Sequence, residues 1–128
     1  MQANRESYLY LRAGLRKNGE LVYEGKLGRD LSIEEGQKAA EIAVINCLSV
    51  IRAEIGSLDN IKQVVKMLAF VNSAPGFSDQ PYVINGASEL LEKVLGDKGK
   101  HARSAIGTSE LPFDTPVEIE MIVEIEES

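Results

Sequence analysis

Apolar and polar residues change period several times along the chain, and each change predicts an element. Tyr8 to Ala13 alternates and is rich in Tyr and Leu, the pattern of a strand. Lys17-Asn18-Gly19 is a turn of Asn-Gly type, with Glu20 to Tyr23 as the returning arm of a hairpin. After a glycine-containing loop, Ser32-Ile33-Glu34-Glu35 has the spacing of a capping box, in which Ser32 accepts from a backbone N–H and Glu35 reaches back. A helical period follows. Gly36, Ala40, Ala43, Val44, Cys47, Leu48, Ile51 and Ile55 form one stripe, with Glu34, Lys38, Glu41, Ser49 and Arg52 opposite, and Gly56 as the stop.

Ile61 to Val71 is apolar on both parities, with Val65 and Met67 assigned to one face and Leu68 and Phe70 to the other, as in a central strand covered on both sides. Past a loop at Asn72 to Phe77, Ser78 or Asp79 can cap a second helix whose first turn admits Pro81. Its stripe is Ile84, Ala87, Leu91, Val94 and Leu95, and Gly96 ends it. Ala102 to Ser109 and Val117 to Glu126 read as two further strands joined by Leu111-Pro112-Phe113-Asp114-Thr115. The order β-β-α-β-α-β-β predicts an α+β fold: a mixed sheet with two helices packed on one face, forming a single domain over residues 1–128. Two helices cover only one face, so a strand apolar on both sides predicts that the second face meets another subunit. In the last strand Val117, Ile119, Met121, Val123 and Ile125 form an apolar row, and Glu118, Glu120, Glu124 and Glu126 alternate with them, interrupted by Ile122.

Composition narrows the function classes. With 20 acidic and 14 basic residues the formal charge is -6, which disfavours a polyanion and hence a nucleic-acid partner. Cys47 is the single cysteine and has no partner for an internal disulfide. His101 has no Cys or second His at ligand spacing, so no metal is expected. The glycines of Gly25-Lys26-Leu27-Gly28 are too few and wrongly placed for a phosphate loop, and no cofactor is expected. No apolar run approaches the ~20 residues of a membrane span and the start has no signal-peptide core, so the expected compartment is cytoplasmic. The basic minority gathers at Lys98, Lys100, His101 and Arg103.

The segment Ala102-Arg103-Ser104-Ala105-Ile106-Gly107, followed by Leu111-Pro112 and Val117-Glu118-Ile119-Glu120, resembles the signature of the reactive-intermediate deaminase family, RidA/YjgF, whose members are also labelled L-PSP endoribonucleases. The resemblance extends back through Gly25-Lys26-Leu27-Gly28, the capped helix, Val64 to Val71 and Asn85, and Gly99-Lys100-His101-Ala102-Arg103-Ser104-Ala105 is similar to a divergent branch. It implies a chorismate-mutase-like fold, a homotrimer with three clefts between subunits, and hydrolysis of enamine or imine intermediates of the 2-aminoacrylate type to 2-keto acids and ammonia. It assigns the substrate-clamping arginine to Arg103 and the acid/base glutamate to Glu118. The backbone near Ala105 and the side chain of Asn85 are assigned to the cleft. A Ser-Gly pair that lines the family's pocket falls at Arg12-Ala13 here, and a cysteine common after Arg-Ser is replaced by Ala105. Members begin with a strand bearing a pocket tyrosine; this sequence starts about one strand later, so the expected cleft lacks a wall.

The chemistry of these residue types supports more than one reading. A guanidinium at Arg103 suits a planar carboxylate, such as that of a small anionic 2-imino or 2-keto acid, and equally suits an interface salt bridge. A carboxylate at Glu118 suits general acid/base work on water, or an interface position; Glu120 shares its face. If the last two strands pair around the Leu111 to Thr115 turn, Arg103 and Glu118 stand roughly 15 Å apart, too far to grip one small substrate within a chain. The functions left open are an inter-subunit deaminase, a non-catalytic metabolite-binding or regulatory trimer, and an endoribonuclease, the last opposed by the net charge.

Overall fold

The computed structural model describes the backbone of residues 8–13, 16–17, 20–21 and 23–126, and the side chains of 8, 9 and 23–126. Strand β1 (Tyr8–Ala13) precedes a small ribbon of β2 (Arg16–Lys17) and β3 (Glu20–Leu21). Helix α1 (Ile33–Ile55) and strand β4 (Ile61–Asn72) follow, then α2 (Gln80–Leu95), β5 (Ala102–Thr108) and β6 (Val117–Ile125). The main sheet has the order β1-β6-β4-β5, with β4 and β5 parallel and the other two pairings antiparallel. This is the expected α+β class: one mixed sheet with both helices on one face.

The capping box closes as its spacing predicts. Glu35 N donates to Ser32 Oγ at 3.1 Å and Ser32 N donates to Glu35 Oε1 at 3.0 Å. Asp79 stands at the start of α2 without a side-chain cap bond, and Pro81 occupies the first turn, where its missing N–H costs nothing. The expected α1 stripe is buried apart from Ile55, which is partly exposed; in α2, Val94 is exposed, and Val83 and Gly86 are buried in addition to Ile84, Ala87 and Leu91. The helices cross closely: a Cβ on Gly86 would stand 2.5 Å from the backbone oxygen of Gln37. Beneath them Val64, Met67, Ala69 and Val71 of β4 and the row from Val117 to Ile125 of β6 complete the core.

Three expectations need correction. First, β5 and β6 do not form a hairpin. A strand–helix–strand run such as β4-α2-β5 makes a parallel crossover, so β5 lies beside β4, and the 109–116 connection carries the chain past the end of β4 to place β6 on its other side. Second, Tyr8–Ala13 pairs with β6, and among the described residues the N-terminal ribbon joins Arg16–Lys17 to Glu20–Leu21. Third, β4 carries bulges: Val64 faces Val123 and Lys66 faces Ile122, so Val65 is an extra residue, exposed on the opposite side from Met67.

Asn72 ties the crossing together. It is fully buried, its N–H donates to Pro116 O at 2.8 Å, and its Nδ2 donates to Asp114 Oδ1 at 3.0 Å. Its carbonyl accepts from Leu27 N at 2.8 Å, which brings the 25–31 loop to the same point. That loop turns at Gly28, with φ 89°, where a side chain would also strike the ring of Phe77.

Candidate functional site

The candidate residues fall into two groups at opposite sides of the sheet. Arg103, Ala105 and Asn85 lie at the β5 edge. Arg103 pairs in register with Met67 on the helix-facing side, and its guanidinium lies along α2. Nη1 donates to Ser88 Oγ at 3.0 Å, and Nη2 donates to Asn85 Oδ1 at 2.8 Å and to Pro81 O at 3.3 Å. Pro81, Asn85 and Ser88 stand at i, i+4 and i+7, the spacing of one helix face, which is why three successive turns meet one side chain. Ala105, two residues on, lies on the same side and packs against the core.

These three acceptors are all neutral oxygens, so among the described residues the half-buried guanidinium is held in place without its charge being cancelled. A guanidinium has five N–H donors; the Nε–H and one Nη1–H have no partner among the described residues. Either parallel two-bond grip on a carboxylate uses Nη2, so such a ligand shares or displaces one of the two contacts that Nη2 makes.

A further hydrogen-bond link was not foreseen. Ser88 Oγ lies 3.0 Å from His101 Nε2, and His101 Nδ1 lies 2.6 Å from Gly99 O. The sequence does not single out Ser88, because a serine outside any motif carries no chemical signal; its position close to one turn beyond Asn85 was the available clue.

The second group is Glu118 with Arg12 and Ala13. Glu118 sits between buried Val117 and Ile119 and opposite Phe70, so its half-buried side chain belongs to the sheet face away from the helices. In β1, Arg12 pairs with Glu120 and Ala13 with Ile119, which sets the end of that strand beside the Glu118 segment; the side chains of Arg12 and Ala13 lie outside the described residues. On the same face Lys66, Leu68, Glu120 and Ile122 line a small hollow of about 140 Å³. Arg103 and Glu118 thus occupy opposite faces of one sheet. Two strand spacings of ~4.8 Å and three residues of ~3.4 Å put their Cα atoms about 14 Å apart, close to the expected separation though reached through a different topology.

A larger hollow of about 530 Å³ opens where the parallel strands end, between Lys26, Phe77, Gln80, Gly107 and Thr108. Its cations are already engaged. Lys26 Nζ donates to Ser109 O and pairs with Glu110 at 3.2 Å. Arg29 pairs with Asp30 at 2.9 Å and, by that hydrogen bond first, holds the Asp30 carboxyl below its ordinary range. Among the described residues no cluster of His, Cys, Asp or Glu could hold a metal ion, and no helix is long and apolar enough to cross a membrane.

A chorismate-mutase-like α+β chain with an arginine at one sheet edge and a glutamate across the sheet defines the class. Residues 9–125 match the family described as "YjgF/chorismate_mutase-like, putative endoribonuclease", and the chain belongs to that family. It is 46% identical over 102 residues to Protein TCP17 of Trypanosoma cruzi, a match covering 79% of this chain and 64% of that protein's length. Its fold is similar to the crystal structure of Atu1372 from Agrobacterium tumefaciens, a protein of unknown function, with a TM-score of 0.92 and 42% identity over 94% of this chain and 77% of the other. A more distant likeness, of fold alone, is to E. coli TdcF with bound serine: TM-score 0.62 and 19% identity, over 97% of this chain and 83% of that one.

Proposed function

We propose that the chain forms a homotrimer of single domains that hydrolyses 2-imino acids and their enamine tautomers at clefts between subunits. The observation that carries this reading is the guanidinium of Arg103, fixed by three neutral oxygens and given no counter-ion by the described residues. Such a group is prepared for an anion, because it is already ordered and those oxygens leave its charge in place. The serine bound to TdcF supports a small amino-acid-like ligand. Glu118 cannot reach the same ligand within one chain, so the second half of the cleft comes from a neighbour whose β6 and β1 meet this β5 edge. A contact between unlike surfaces closes into a ring when its rotation divides the circle, and a one-third turn gives three copies with three equivalent clefts.

In this cleft Arg103 holds the substrate carboxylate. Glu118 of the adjoining subunit takes a proton from water as its oxygen adds to the imine carbon, and returns it to nitrogen. The same carboxylate then carries the hydroxyl proton of the resulting carbinolamine to the amine nitrogen, the C–N bond breaks as the carbonyl forms, and ammonia leaves.

The test generates 2-imino acids with an amino-acid oxidase and follows their conversion to 2-keto acid and ammonia. The expected result is acceleration over spontaneous hydrolysis, lowered by at least about 10²-fold in Arg103→Ala because the substrate carboxylate loses its charge partner. Hydrolysis at the spontaneous rate, with saturable 2-keto acid binding, would replace the enzyme by a metabolite-binding trimer. No binding would remove both. Endoribonuclease action has the net charge of -6 against it.

A further inference from the structure

We propose that Ser88 and His101 are positioning residues that orient the Arg103 guanidinium toward a carboxylate ligand. The inference rests on the reading of Arg103 as the substrate clamp. It goes beyond that reading by naming what fixes the clamp.

Proton directions are set outward from the backbone. A carbonyl oxygen only accepts, so the contact of His101 Nδ1 with Gly99 O places the ring proton on Nδ1. In the neutral ring Nε2 is then an acceptor, and the Ser88 hydroxyl donates to it. With its proton committed, Ser88 Oγ presents lone pairs to Arg103 Nη1–H. Without an acceptor at His101 Nε2, the serine proton is free to rotate into the position now taken by the Arg103 donor.

The origin of this chain is firmly held. Gly99 is buried, and a Cβ there would run into the Leu91 carbonyl of α2. From β4, Gln63 Nε2 donates to Lys98 O at 3.2 Å and to Lys100 O at 2.5 Å, pinning the turn on both sides of Gly99. A rigid turn thus sets the histidine tautomer, the tautomer sets the serine hydroxyl, and the hydroxyl sets one side of the guanidinium. Long side chains lose rotamer entropy when immobilised, so an arginine ordered beforehand binds its ligand more tightly than a mobile one.

The experiment uses the full chain and two pairs of variants. Ser88→Ala and His101→Leu remove the link; Ser88→Thr keeps the hydroxyl, and His101→Gln keeps an acceptor near Nε2. Because the chain has one histidine, its ¹⁵N spectrum at about pH 8, where an ordinary imidazole is neutral, reports the tautomer directly. The expected result is protonated Nδ1 and bare Nε2, with pyruvate affinity and KM for 2-imino acids worsened about tenfold in Ser88→Ala and His101→Leu and returned to near wild type in the conservative pair. A proton on Nε2, or unchanged affinity in both removal variants, would overturn the proposal. Failure of the wild type to bind pyruvate would count against the clamp and leave the positioning claim to the free protein. There the two Arg103 Nη1–H resonances are expected to be distinct in wild type, where Ser88 Oγ holds one of them, and averaged by rotation about Cζ–Nη1 in Ser88→Ala; unaltered resonances would refute it.

Discussion

Cys47 shows how an environment fixes the chemistry of a single residue. It lies buried on the α1 stripe, and burial pushes its thiol up to about 12, far from the thiolate needed for reaction. Native protein at neutral pH is expected to resist thiol reagents and to label only as it unfolds; rapid labelling of the folded chain would contradict this placement. Asn72 is the polar counterpart. Replacing it with alanine strands Asp114 and the backbone at Gly25 around a buried gap, and is expected to cost about 1–3 kcal/mol by urea unfolding. Arg103, Asn85, Ala105 and Glu118 stand out in the sequence as candidates because a family motif carries them. Ser88 and the contacts of His101 do not, since hydrogen-bond partners depend on how α2 lies against β5, which no local spacing specifies.

Elements were most legible where one local rule governs them. Ser32, Glu35 and Gly56 bound α1 as capping chemistry requires, and the alternation from Val117 to Ile125 survives intact in the burial of β6. Failures came where two rules compete. A short connection between β5 and β6 suggests a hairpin, but α2 has already committed β5 to a parallel place beside β4. Period alone also could not reveal the bulge at Val65, because an extra residue shifts parity without changing composition. Close packing of the helices is testable by Gly86→Ala. Helix propensity favours alanine by ~1 kcal/mol, yet the new methyl would press on the Gln37 backbone. The steric term should win, giving net destabilisation of about 1–3 kcal/mol by denaturant midpoint, whereas a stabilised variant would mean the helices separate freely.

At the scale of the whole molecule, the charge of -6 is less informative than its distribution. Glu118, Glu120 and Glu124 share the sheet face away from the helices with Leu68, Phe70 and Ile122, while Arg103 stands with the helices at the far edge. One chain therefore holds the two candidate groups on opposite sides of its sheet, and the proposed trimer joins the arginine of each copy to the glutamate of the next. Subunit mixing tests this arrangement. Arg103→Ala and Glu118→Gln are each expected to be inactive as homotrimers. In trimers reassembled from equal amounts of the two, a cleft is intact when an unaltered Arg103 faces an unaltered Glu118. Random assembly around the ring makes that about one cleft in four, so about a quarter of wild-type imine hydrolysis should return. A mixture as inactive as either parent would contradict a site shared between subunits.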